Sequence, residues 1–305
     1  MTAEVLLPVP GAGAVALRSV DLVVPDLAAA RRFYTEIWGL AEVAGPGPEV
    51  VLRATGADHH VVVLHEGQPA LHSITFRAAS QAAVEQAAQA VTEAGGRLLA
   101  PPGPADWPGG GFGVALVDPQ GRTLRLVHGD QTRTPDAPAL DRPTRLSHVN
   151  VNSVDTDAAA RFFTGALGFR LSDRSKTMAF VRCNSDHHAV VIADARVNGL
   201  NHIAFMMPSL EGVMRGSGRM VDHGHPIGWG VGRHGPGDNV FAYFVDPFGI
   251  VIEYTAEMLQ VDDAYRVGGP ADWTWPPGRT DHWGIAAPKS EAVKRAQTAI
   301  GLVPA

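Results

Sequence analysis

LRSVDLVVPDLAAARRFYTEIWGL (residues 17–40) returns 129 positions later as LSHVNVNSVDTDAAARFFTGALGF (residues 146–169). That shift lays Asp26 on Asp155, Phe33 on Phe162, Thr35 on Thr164 and Gly39 on Gly168. Each copy opens with the alternation of a strand buried on one face. An aspartate follows, positioned to cap an amphipathic helix and to complement its dipole. The helix then ends at a glycine, the residue that best tolerates a left-handed C-terminal turn.

The repetition continues along the chain. DHHVVVL (58–64) pairs with DHHAVVI (186–192) and LHSITF (71–76) with LNHIAF (200–205), at shifts of 128 and 129, and VALVDPQGRTLRLV (114–127) pairs with FAYFVDPFGIVIEY (241–254), their DP pairs 128 apart. Four blocks at nearly one offset mean duplication. After the first helix each copy shows three short strands. A second strand–helix pair follows, then two strands joined by DPQG or DPFG, a type I turn sequence. Each copy therefore reads as a pair of βαβββ units, a mixed α+β module curled around a cavity. The expected boundaries are 1–128 for the first module, 129–144 for a linker, 145–256 for the second module and 257–305 for a tail. The linker, GDQTRTPDAPALDRPT, has three prolines and no periodic apolar face. The tail has no counterpart in the first copy. It carries Trp273, Trp275 and Trp283 among prolines and glycines and reads as an ordered wrap rather than a helix.

Composition narrows the function. A net charge of −6 argues against a nucleic-acid surface or a polybasic membrane anchor. No apolar run is long enough for a spanning helix, and no basic-then-apolar leader is seen at the N-terminus; a cytoplasmic location is the expectation. The single cysteine, Cys183, excludes a disulfide framework and a Cys-rich metal site, so any metal site must use the 13 histidines and the carboxylates.

Duplication also supplies an internal control, because residues common to both copies serve the fold. Three polar residues occur in one copy only, in otherwise apolar strands: His148 where the first copy has Ser19, His202 where it has Ser73, and Glu253 where it has Arg125. Taken alone, a strand His is most often a satisfied core residue and a Glu in VIEY could face water. Together they come from three strands of one module, and two His with one carboxylate suit non-haem Fe(II), holding one face of an octahedron and leaving three positions open.

At these residues the chain resembles the vicinal oxygen chelate superfamily, and within it the two-module type I extradiol ring-cleavage dioxygenases. The most specific stretch is GRHGPGDNVFAYFVDPFGIVIEYTAE (232–257), similar to the signature region of those enzymes. The resemblance covers nearly the whole chain and implies tandem vicinal-oxygen-chelate modules, of which the first has lost its metal site. It implies that His148, His202 and Glu253 bind Fe(II), or Mn(II) as in some relatives. It implies that Tyr243 hydrogen-bonds a substrate oxygen and that His234 contacts the substrate hydroxyl or oxygen intermediates. The acid–base histidine should lie in the HH pair; His188 is favoured because it leads directly into the AVVI strand, with His187 as the alternative. The first copy shares that pair as His59 and His60, which weakens it as a functional signal. Asp238 or Asn239 would orient neighbouring groups. In GHPIGWGVGRHG (224–235), Trp229 is either a pocket wall or a packed residue in a glycine-rich surface loop. The implied substrate is a catechol or a 2,3-dihydroxybiphenyl, with O2 as co-substrate, and the implied assembly is a homo-oligomer.

Two rival readings share this fold. A glyoxalase-like isomerase would carry ligands in both modules, which Ser19, Ser73 and Arg125 do not provide. A metal-independent ligand-binding or resistance protein would leave the His148, His202, Glu253 and Tyr243 set without a purpose.

Overall fold

The computed structural model describes residues 13–45, 47–137 and 139–305. In the first module β1 (Ala14–Val24) leads into α1 (Leu27–Arg32), which widens into a π-helical turn over Phe33–Trp38. Then come β2 (Ala41–Val43), β3 (Val50–Arg53), β4 (Val62–Glu66), β5 (Ala70–Ala78), α2 (Gln81–Glu93), β6 (Arg97–Leu98), β7 (Gly103–Pro104), β8 (Phe112–Val117) and β9 (Thr123–His128). The second module repeats the order with β10 (Arg145–Ser153), α3 (Thr156–Ala166), β11 (Arg170–Arg174), β12 (Met178–Arg182), β13 (Val190–Asp194), β14 (Gly199–Met206), α4 (Leu210–Asp222), β15 (Trp229–Arg233), β16 (Val240–Val245) and β17 (Val251–Ala256). The tail adds α5 (Glu291–Ala296) and β18 (Gly301–Leu302).

The caps fall where the sequence puts them. Asp26 accepts from the Ala29 amide and Asp155 from the Ala158 amide. Gly39 follows the first helix at φ 96° and Gly168 the third at φ 73°, backbone that a side chain would strain. The tail departs from the expectation of a wrap without a helix, since Glu291–Ala296 forms α5. The glycine-rich run is not a surface loop: Trp229–Arg233 forms β15, paired antiparallel to β16.

The strands form two sheets, ordered β2-β3-β4-β1-β5-β9-β8-β6 and β11-β12-β13-β10-β14-β17-β16-β15; β7 lies beside β8, and β18 beside β5. The inner pattern is the same in both. β1 runs parallel to β4 and antiparallel to β5, and β10 does the same with β13 and β14. One face of each sheet is apolar (Val20, Leu22 and Val24; Val149 and Val151), and these faces share a single core with the helices of both modules. Trp38 of the first module stacks on Tyr254 of the second at 3.7 Å, and Phe76 meets Phe163 edge-on. The opposite face of each sheet carries the polar residues. The tail crosses that face in the second module, where Val293 and Ala296 of α5 pack on Phe241, Tyr243 and Val251. It then ends in the first module's sheet, Leu302 opposite Leu71. Among the described residues no helix is long and apolar enough to cross a membrane.

Candidate metal centre

Register brings the three singled-out residues together. His148 on β10 lies opposite Ala204 on β14, and Ala204 lies opposite Glu253 on β17. His202 sits two residues before Ala204 on the same strand. Strands β10 and β17 are not neighbours; in a flat sheet they would stand about 10 Å apart, yet their side chains meet over the curled face. His148 Nε2 is 3.3 Å and His202 Nε2 3.1 Å from Glu253 Oε2, and the two Nε2 atoms are 3.3 Å apart. All three residues are buried, at 2 %, 3 % and 0 % exposure.

This set fits a divalent ion. Neither carboxylate oxygen of Glu253 has a partner in hydrogen-bond geometry, although both are buried, a costly arrangement without a cation. Burial holds His148 down to about 3 and His202 down to about 4, the latter against the pull of Glu253. Both imidazoles are therefore neutral and offer lone pairs. Burial raises Glu253, while His202 and Tyr243 draw it back; a bound cation would favour the carboxylate further.

His202 is oriented from behind. Its Nδ1 lies 2.9 Å from Asn201 Oδ1, so the proton sits on Nδ1 and the Nε2 lone pair faces Glu253. Asn201 Oδ1 also accepts from Gln297 Nε2 at 2.8 Å. Asn152 Oδ1 accepts from Asn201 Nδ2 at 2.9 Å, and Asn152 Nδ2 donates to the Gln297 carbonyl at 2.6 Å. Sequence reasoning missed this network. The copy-to-copy comparison contains its signal, since Asn152 and Asn201 stand where the first module has Val23 and His72.

Three further side chains converge on the triad. Tyr243 lies directly opposite Glu253 across β16 and β17, and its Oη is 3.4 Å from His202 Nε2 and 3.1 Å from His234 Nε2. His234 stacks on Phe241 and, at 21 % side-chain exposure, is the open side of the cluster. The His188 ring lies edge-on to His148, centroids 4.5 Å apart. His187 points elsewhere, with Nε2 2.8 Å from Asp173 Oδ2. The Nδ1 atoms of His187 and His188 are 3.0 Å apart. With Asp173 accepting from His187 Nε2, His187 Nδ1 is left to accept from His188 Nδ1, and the His188 Nε2 lone pair is free. Burial pushes His188 and His234 well below the usual histidine range. Asn239 and Asp238 lie apart from the triad. Asn239 Nδ2 donates to Thr255 Oγ1, and the Asn239 carbonyl anchors the His234 amide; Asp238 faces Arg233 and His282 at the surface.

The tail closes the centre. Ser290 N donates to the Gly228 carbonyl, which fixes the tail beside β15. Lys289 Nζ then lies 4.5 Å above the Trp229 ring and donates to Gln297 Oε1 at 2.9 Å. Trp273 and Trp275 pack so closely on Gly235 that a Cβ there would meet them at 3.1 and 2.5 Å.

The first module's polar face is filled instead. The Arg18 guanidinium bonds Asp130, Ser19 Oγ, His60 and the Pro108 carbonyl. Arg125, at the position of Glu253, pairs with Asp21 at 2.8 Å and lies over Trp107. Asp21, His65 and His72 do bring possible ligand atoms together, a grouping the sequence comparison did not expect. Arg125 already places a fixed positive charge on that aspartate.

The Glyoxalase/Bleomycin resistance protein/Dioxygenase superfamily matches residues 16–126 and 145–254, and the chain belongs to that superfamily. It is 30% identical over 290 residues to Metapyrocatechase 2 of Cupriavidus necator, covering 86% of each chain. It is 24% identical over 261 residues to a manganese-dependent 2,3-dihydroxybiphenyl 1,2-dioxygenase of Geobacillus genomosp. 3, covering 75% of this chain and 80% of that one. Among solved structures, the Mn(II)-bound glyoxalase from Novosphingobium aromaticivorans superposes with a TM-score of 0.85 and 34% identity, over 92% of this chain and 94% of that one.

Proposed function

We propose that the protein is an extradiol dioxygenase that opens the ring of a catechol with O2 at a non-haem Fe(II), or Mn(II), held by His148, His202 and Glu253. The observation that carries this reading is the convergence of that triad with Tyr243, His234 and His188 in one buried cluster. The relatives named as a metapyrocatechase and a dihydroxybiphenyl dioxygenase support it.

A redox-active divalent ion in the triad would supply adjacent positions for a diol and O2 and a path for electrons between them. The chain's own groups handle protons and orientation. His188 Nε2 accepts a diol proton as the substrate binds and returns it as the ring opens, its Nδ1 side fixed by His187 and Asp173. Tyr243 Oη and His234 Nε2 hold the charge that develops on the substrate oxygens. Trp229 and Phe241 flank His234 with aromatic surface suited to a planar ring. Both atoms of O2 enter the product, a yellow 2-hydroxymuconic semialdehyde or related keto acid.

The test is anaerobic loading with Fe(II) or with Mn(II), then O2 uptake with catechol, substituted catechols and 2,3-dihydroxybiphenyl. One O2 consumed per diol with yellow product supports the reading. A stoichiometric metal without O2 uptake on any diol overturns it. Turnover that needs no O2 would then favour an isomerase, the reading suggested by the structural relative named as a glyoxalase.

A further inference from the structure

The tail delivers to the centre a charge for which the chemistry above has no use. Lys289 Nζ lies 4.5 Å from the Trp229 ring centroid and 5.9 Å from that of Tyr243, the ring whose hydroxyl reaches His202. The ammonium thus stands one aromatic ring away from the triad. Its hydrogen-bond partner among the described residues is the Gln297 amide oxygen, and it pairs with no carboxylate. An ammonium has three protons to place, and Lys289, half-buried beside the site, gives one of them to Gln297. The indole N–H of Trp229, the ring that Lys289 lies over, is also buried without a hydrogen-bond partner among the described residues.

We propose that Lys289 and Trp229 form a subsite for a carboxylate on the substrate ring, so that the preferred catechols carry an acidic substituent. This rests on the ring-cleavage reading. Charge counting leads the same way. Around the triad, histidines that ligate a cation do so as neutral imidazoles, Glu253 is the acid and Lys289 the base. A divalent ion brings that group to +2. A catechol bound as a monoanion leaves +1 in a poorly solvated place, whereas one that also bears a carboxylate leaves zero, the arrangement that low dielectric favours. The position of Lys289 is not left to a mobile side chain either. Ser290 N on the Gly228 carbonyl holds its backbone and Gln297 holds its tip. Burial lowers Lys289 to about 8, with Glu253 opposing the fall and Lys294 adding to it, as expected of an ammonium that lacks an adjacent anion.

The experiment compares catechol acids, with the carboxylate on the ring or on a one- or two-carbon arm, against their methyl esters. Each pair is measured twice: as KM for O2 uptake by the Fe(II)-loaded protein, and as Kd from tryptophan fluorescence of the Zn(II)-loaded protein under argon, where no turnover occurs. At least one acid should bind about tenfold or more tightly than its ester. Lys289→Met should erase that ratio by weakening the acid alone, and Lys289→Arg should keep most of it. Equal binding of every acid and ester in the parent protein overturns the proposal. So does an equal loss for acid and ester in Lys289→Met, the mark of a structural role. Absence of O2 uptake with a surviving acid–ester difference in Kd would sink ring cleavage and leave the subsite; uptake without the difference would do the reverse.

Discussion

The two modules offer the same polar face to opposite ends. In the first, arginines close on the buried acids: Arg18 and Arg77 share Asp130, and Arg125 takes Asp21. In the second, two neutral imidazoles and a carboxylate without hydrogen bonds face each other. The scaffold does not decide between these outcomes, because strand order and register are alike. The sign of a few side chains decides. A face whose carboxylates are already neutralised by arginines has little to gain from a cation, whereas one that leaves a buried carboxylate uncompensated is committed to one. Even the shared His–His contact follows this rule. His59 and His60 approach at 3.0 Å as His187 and His188 do, but His60 runs into Arg18 while His188 faces the triad.

The severest way to break this comparison is to remove the uncompensated charge. Glu253→Gln should abolish metal retention and reduce turnover by more than about a thousandfold, about 4 kcal/mol in the barrier, with metal content and O2 uptake measured on one preparation. A variant that keeps a stoichiometric ion would show that the carboxylate is not a ligand. The converse change is Arg125→Met, which strips Asp21 of its cation while leaving the second module intact. Denaturant unfolding should report a loss of about 2–4 kcal/mol, with metal content and kcat unchanged. A fall in kcat at full metal loading would mean that the first face takes part in the chemistry.

A smaller contrast lies in the DP turns. Asp118 in DPQG pairs with Arg122 at 2.7 Å. Asp246 in DPFG has Ile250 at that position and instead accepts from Tyr34 of the first module at 2.8 Å and from the Phe248 and Ile250 amides. Without a cation, burial raises Asp246 to about 6. The unfolded chain ionises this group from about pH 4 and the folded chain only near 6. Its contribution to stability is thus complete below about pH 4 and is lost as pH climbs through 6, by about 3 kcal/mol. Asp246→Asn should lack that slope. Unfolding midpoints of the two proteins should therefore draw apart between about pH 4 and about 6 and hold that gap at higher pH, and a gap that does not change with pH would refute the raised carboxylate.

Comparing the repeats made the triad legible, because His148, His202 and Glu253 each have a counterpart to be compared with, and period-two alternation fixes which face they share. The same logic located the helix caps. It could not show Trp38 stacking on Tyr254, since the interleaving of helices between sheets is a packing result with no local signal. Nor could it give Trp229–Arg233 as a strand: four glycines in GWGVGRHG read as a loop, and only pairing with β16 makes the run extended. Arg18 escaped notice because its counterpart, Ser147, is unremarkable in both size and charge. The tail was the least legible region, having no copy to compare, although it supplies Lys289 and Gln297 to the centre.

That last point yields the finest test of the difference between the modules. In the second, His202 is held by Asn201, and Asn201 by Gln297 from the tail. The first module has His72 in place of Asn201, and its Nδ1 is buried without a partner. If the tail matters only as packing, Gln297→Ala lowers the melting temperature and leaves metal affinity alone. If it fixes the His202 tautomer, as the hydrogen bonds indicate, metal affinity falls about tenfold, the lower end for such supporting contacts. Asn201→Asp should shift affinity the other way, because a carboxylate accepts the Nδ1 proton more strongly and makes Nε2 a better donor to the ion. Competition with a chelator of known affinity for Mn(II) resolves both changes, and movement of the two variants in the same direction would dismiss the tautomer argument.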